Sequence, residues 1–215
     1  VTAFMAAATK LAAFGALLRI FYVAFGGARW DWLPMFYVVA ILTMLVGSVM
    51  ALTQSDVKRL LAYSSIAHAG FLLVGFLGAR ELSTSGAPNI NAIQAVLFYL
   101  VTYGFMTMAA FAIVTLVRDS RGETTDLASW AGLGKESPLI AGVFSFLLLA
   151  MAGIPLTSGF MGKLAVFAAA YKAGAGIAVV AAVLISVVAA FFYIRLIVVM
   201  YFGEPEGEGP RVTTP

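Results

Sequence analysis

The 215-residue chain has no cysteine and a single histidine, His68. Without a thiol it can form neither a disulfide nor a thiolate-ligated metal or iron–sulfur site, and one imidazole is too few for a haem pair or a histidine metal cluster. Charge is scarce as well: 11% of residues are Asp, Glu, Lys or Arg, against roughly 25% in an ordinary soluble domain. The net charge of +3 comes with no basic cluster larger than Lys58-Arg59, which argues against nucleic acid as a partner. Apolar residues make up 62% of the chain. So little polar material cannot cover a water-soluble fold of this size, and a soluble enzyme is excluded.

Long apolar runs predict an all-α, polytopic transmembrane bundle of about six spans. A span needs about 20 apolar residues, and backbone groups at that depth must pair within the segment. The runs are helix A (1–25), helix B (33–53), helix C (57–77), helix D (90–117), helix E (138–171) and helix F (174–202), followed by a polar tail (203–215) rich in Gly, Glu and Pro. A polar connection, Arg118 to Ser137, holds one weakly amphipathic stretch from Leu127 to Leu133. One side of the bundle carries Lys58, Arg59, Arg118, Arg121, Lys135 and Arg211, and the other Arg29, Arg80 and Lys172. The positive-inside rule makes the first side cytoplasmic and puts Trp30 and Trp32 at the outer interface. Val1 already lies in an apolar run with no basic stretch before it, so the sequence is expected to be part of a longer membrane subunit.

Helix E covers 34 residues, about 51 Å if continuous, too long for one crossing. Its middle carries Gly153, Pro155, Thr157, Ser158 and Gly159. Proline removes a backbone donor and clashes with the preceding turn, so two half-helices joined by a hinge at 153–159 are expected, with Thr157 and Ser158 available to freed carbonyls. A kinked structural helix is the simpler alternative. Broken helices at membrane depth line ion and substrate sites.

Two lysines lie within spans, Lys10 in helix A and Lys163 in helix E. A cation at mid-bilayer costs about 2.5–3.5 kcal/mol, so each needs water or a partner unless it reaches the interface. Desolvation disfavours the charged amine, the property a proton relay needs. His68 in helix C titrates near neutrality, with Ser64 one turn earlier on the same face; a packed, hydrogen-bonded imidazole and a relay member both fit it. Tyr63, Ser65, Tyr99, Thr102, Tyr103 and Thr107 are candidates to line a hydrated path. Arg19 and Arg195 are expected to snorkel from helix ends. Asp31, Asp56, Glu81, Asp119, Glu123, Asp126, Glu136 and the tail residues Glu204, Glu206 and Glu208 fall in loops or at helix ends. A lysine relay with no carboxylate inside its spans must find its counter-charge elsewhere.

The stretch from Asp56 to Phe71 resembles the signature of the antiporter-like membrane subunits of respiratory complex I, the proton-translocating NADH–quinone oxidoreductase. The run Ala152 to Lys163 is similar to that family's broken helix, and the loop Asp126 to Pro138 to the stretch before it. The opening Phe4 to Gly15 and the Ala67-His68-Ala69-Gly70-Phe71 form resemble the N-type subunit more than its M and L paralogues. The resemblance implies two inverted five-helix repeats, with helix A closing the first and helices B to F forming the second. It also implies a proton relay through Lys10, His68 and Lys163, Lys163 exchanging protons with the outer side, driven by electron transfer in other subunits. NAD, FMN, iron–sulfur clusters and quinone are expected in those partner subunits, with no cofactor and no metal in this chain. The other complex I membrane subunits and the lipid bilayer are the expected partners, and a bacterial plasma membrane the expected location. A subunit of a multisubunit cation/proton antiporter with the same fold is the alternative. A purely structural membrane subunit, and an amino-acid transporter with a broken helix, are weaker competitors.

Overall fold

The computed structural model describes residues 2–80, 90–119, 122–205 and 209–212. Val1, Glu81, Arg121, Glu206 and Glu208 therefore lie outside the described residues. Helix α1 (Thr2–Leu18) passes into a π-helical segment (Arg19–Ala24), and a short 3-10 turn (Gly26–Ala28) leads to α2 (Arg29–Leu52). Helix α3 (Val57–Phe76) and α4 (Ile90–Leu116) follow; then come strands β1 (Val117–Asp119) and β2 (Gly122–Glu123), a 3-10 turn (Ala128–Trp130) and α5 (Leu133–Glu136). The chain ends with α6 (Pro138–Ala152), α7 (Ser158–Lys172), α8 (Gly176–Phe202) and β3 (Arg211–Val212).

Five segments among the described residues are long and apolar enough to cross a membrane: 7–24, 30–52, 57–76, 91–116 and 176–202. Helices α6 and α7, at 15 residues each, reach about 22 Å and are individually too short. Glycine at 134 packs on Tyr201 and Gly203 on Ala131, so α5 lies at the end of α8. Since α6 starts just after α5, and α7 joins the start of α8 through three residues, α6 and α7 together make the sixth crossing.

Three details differ from the sequence reading. The second span begins at Arg29 rather than 33, and Pro34 sits inside the helix as its sixth residue, at the loss of one backbone hydrogen bond. Trp32 is not at a lipid interface. It is buried, donates to the Phe25 carbonyl at 3.0 Å, and packs against Phe21, Tyr22 and Phe36; Trp30 is the exposed indole. Finally, the helical bundle carries a small antiparallel sheet, ordered β2-β1-β3, in which the tail strand pairs with the end of the fourth span.

The charged end of the bundle is tied together by Asp56. Its carboxylate caps α3 by accepting from the Arg59 N–H at 2.8 Å and also accepts from the Thr125 hydroxyl at 2.5 Å. Lys58 pairs with Glu123 across the same junction. Backbone bonds from Val57 to Thr125 and from Leu127 to Ser55 fasten the loop beneath α3, and Trp130 is fully buried there. Arg195, exposed on α8, donates to the Leu52 carbonyl at 3.1 Å, in the last turn of α2.

Candidate functional site

The break between α6 and α7 is built residue by residue. Glycine at 153 takes φ +87°, a left-handed conformation that ends α6. Its N–H bonds the Ala150 carbonyl and the Ile154 N–H bonds the Leu149 carbonyl, both at 3.1 Å. Two terminal carbonyls remain, and Lys163 takes both: Nζ donates to Met151 at 3.2 Å and to Ala152 at 2.8 Å. The third donor goes to Ser186 Oγ on α8 at 2.8 Å. A cation is favoured at a helix C-terminus, where carbonyl dipoles converge. Lys163 is 4% exposed, and its amine also lies 4.8 Å from the Phe71 ring centroid.

The remaining hinge residues have separate tasks. Thr157 caps α7, accepting from the Phe160 N–H at 3.3 Å and donating to the Ile154 carbonyl at 2.7 Å. Ser158 was expected to serve a freed carbonyl; its hydroxyl instead faces Met106 Sδ at 3.9 Å, because Lys163 already holds those carbonyls. Pro155 lies in the connecting turn. Leu156, beside it, is fully exposed at φ +75°, a costly conformation for a branched side chain. At Gly159 a Cβ would fall 1.8 Å from the Ala150 carbonyl oxygen, so only glycine lets α7 start this close to the end of α6.

Lys10 is held differently. From α1 its amine donates to the Ser65 carbonyl at 2.6 Å and to the Ser65 hydroxyl, and it lies 5.4 Å from the Tyr103 ring centroid. Between the two lysines lies His68, 1% exposed. Its ring stacks on Tyr103 with centroids 4.6 Å apart. Nδ1 bonds the Tyr99 hydroxyl at 2.6 Å and Nε2 the Tyr193 hydroxyl at 3.0 Å. The Tyr193 hydroxyl also bonds Ser64 Oγ, so Ser64 and His68 meet through α8 rather than directly. Thr107 is buried beside the Tyr103 hydroxyl without an aligned hydrogen bond.

The structure thus gathers Lys10, Ser64, Ser65, His68, Tyr99 and Tyr103 into one polar string and puts Lys163 at its far end against Phe71. Tyr63 is half-buried at the margin of the core, outside the string. Thr102 turns back onto its own helix, donating to Phe98 and Tyr99 carbonyls. Among the described residues no group of three His, Asp or Glu side chains is placed to hold a metal.

The sequence model for the NADH:quinone oxidoreductase/Mrp antiporter transmembrane family matches residues 1–189. The chain belongs to this family. Within the antiporter family it is 62% identical over 214 residues to the NADH-quinone oxidoreductase subunit N of Parafrankia sp. (strain EAN1pec), covering 100% of this chain and 39% of that protein. It is 61% identical to NADH-quinone oxidoreductase subunit N 3 of Streptomyces griseus, covering 100% of this chain and 37% of that protein. The chain therefore spans about two fifths of the length of these curated relatives. Its fold is similar to a chain of respiratory complex I from Thermus thermophilus with bound Aureothin, with TM-score 0.70, 34% identity, and coverage of 85% of this chain and 39% of that one. It is also similar to a chain of the Mrp complex from Dietzia sp. DQ12-45-1b, with TM-score 0.77, 28% identity, and coverage of 90% and 34%.

Two residues of this antiporter-family chain escaped the sequence reading, Ser186 and Tyr193. A signal existed: they lie seven positions apart, two helical turns, in α8, whose other polar side chains are Arg195 and Tyr201. Hydroxyls alone in such a helix look like ordinary packing until the neighbouring helices are in place.

Proposed function

We propose that this chain is the proton-conducting part of an N-type membrane subunit of a bacterial NADH–quinone oxidoreductase. The observation that carries this reading is the polar string from Lys10 to His68 and its tyrosines, leading toward a fully buried Lys163 at a helix break. Amines, imidazole and hydroxyls each give and accept protons; Lys10 is hydrogen-bonded to Ser65, and His68 to Tyr99 and through Tyr193 to Ser64, with the Tyr103 ring stacked on His68. Lys163 would load and release its proton at the hinge. Because α6's last carbonyls depend on its donors, a change in its charge state changes what holds the hinge closed. Near-60% identity to curated subunits N supports the assignment. On this reading the chain works in a plasma membrane beside other complex I membrane subunits. Redox cofactors (NAD, FMN, iron–sulfur clusters and quinone) belong to partner subunits, and their electron transfer drives proton movement here through electrostatics and conformation.

The test uses the full-length subunit in the assembled complex, in inverted membrane vesicles. Lys163→Ala and Lys10→Ala are expected to abolish NADH-driven acidification of the vesicles, read by quenching of a pH-sensitive dye, while a native gel shows the complex assembled. Wild-type acidification in both variants overturns the reading. The TM-score of 0.77 to an Mrp chain supports a second reading, a cation/proton antiporter subunit, which requires that Na⁺ added to vesicles already acidified by ATP hydrolysis collapse the acidification without NADH.

A further inference from the structure

We propose that Tyr193 of α8 is a proton-transferring member of the relay, passing a proton between Ser64 and Nε2 of His68. This rests on the relay reading above. His68 is fully enclosed, and tyrosine hydroxyls hold both its ring nitrogens: Tyr99 at Nδ1 and Tyr193 at Nε2. Tyr193 is itself fully buried, and its hydroxyl has a second partner in Ser64 Oγ.

A neutral imidazole has one N–H and one acceptor nitrogen. In one arrangement Nδ1–H donates to Tyr99, while Tyr193 donates to Nε2 and accepts from Ser64. In the other, Nε2–H donates to Tyr193, Tyr193 donates to Ser64, and Tyr99 donates to Nδ1. Each arrangement satisfies all three hydrogen bonds with the same heavy-atom positions. Converting the first into the second moves the Ser64 bond's proton onto Tyr193 Oη, the Tyr193 proton onto Nε2, and the Nδ1 proton onto Tyr99 Oη. Each O–H or N–H bond broken is matched by one formed. One proton then enters at Ser64 and one leaves from Tyr99, with no charge left on His68. A buried neutral imidazole needs a partner at each nitrogen; here both partners are hydroxyls, which can donate or accept, and one of those hydroxyls leads on to a third.

The substitution Tyr193→Phe keeps the ring, which packs against Phe192, and removes the hydroxyl that links Ser64 to His68. In the assembled complex it is expected to lower protons moved per NADH oxidised at least about tenfold. Ser64→Ala is expected to lower them in the same direction while leaving Tyr193's ring in place, and the solvent deuterium isotope effect of the remaining flux is expected to change in both variants. A purely structural tyrosine would reduce assembly and leave the isotope effect of the assembled fraction alone. Unchanged translocation in an assembled Tyr193→Phe complex overturns the proposal. If that variant fails to assemble, Ser64→Ala decides alone, and wild-type translocation there overturns it too. Lys163→Ala in parallel separates the two readings: if it stops translocation while Tyr193→Phe does not, only the role of Tyr193 falls.

Discussion

Lys10 and Lys163 are both lysines placed inside apolar helices, yet the protein satisfies them by opposite means. Lys163 draws on backbone: it holds two carbonyls that the break in its own span sets free, with Ser186 as a third acceptor. Lys10 lies on an unbroken stretch of α1 and borrows a hydroxyl and a carbonyl from α3. The Ser65 carbonyl lies within a continuous helix and accepts the amine on a spare lone pair. One lysine is therefore part of how the backbone is folded. The other is a guest on a helix that folds without it.

The largest expected effect follows from that difference. Lys163→Ala orphans the Met151 and Ala152 carbonyls at membrane depth, about 1–3 kcal/mol for each unsatisfied group. Lys10→Ala leaves no helix-terminal carbonyl exposed and should cost about 1 kcal/mol. Thermal inactivation of the detergent-solubilised complex should rank Lys163→Ala well below Lys10→Ala, although both stop proton movement. An equal or reversed ranking breaks the comparison.

Glycine substitutions sharpen the same contrast. Gly153→Ala puts a Cβ at φ +87° and 3.1 Å from Lys163 Cδ, with an expected loss of about 1–2 kcal/mol and weakened translocation as the amine is displaced. On the Lys10 helix, Gly15→Ala meets nothing within 4 Å and should stabilise by about 0.5–1 kcal/mol with translocation intact. Melting curves of the two variants should move in opposite directions.

The smallest effect belongs to a third lysine, which sits in water. Lys58 and Glu123 are 40% and 41% exposed, and Lys58→Ala should change stability by under about 1 kcal/mol, less as salt is raised. A salt-independent loss would mean that this junction is more enclosed than its exposure indicates.

The break, the two lysines and His68 were legible in the sequence because each violates its surroundings: a proline and two glycines in an overlong apolar run, and ionisable groups where lipid would penalise them. The assignment of Thr157 and Ser158 was legible only in part, since the sequence did not reveal that Lys163 reaches back to the carbonyls. Trp32 was misplaced because an indole near a helix start reads the same whether it faces lipid or a cluster of phenyl rings. The small sheet was missed because strands of two or three residues leave no periodic pattern.

By itself the sequence determined that the chain crosses a membrane, roughly where each crossing lies, which one breaks, and which side chains are out of place there. Hydrophobicity and helix length decide those matters along the chain. Only the tertiary structure decided what the misplaced groups hold. The partners of His68 and Lys163 come from α4, α6 and α8, and the rotation of an almost uniformly apolar helix such as α8 is set by close packing against its neighbours. Composition sets that rotation only weakly, because apart from Ser186, Tyr193, Arg195 and Tyr201 the helix is apolar.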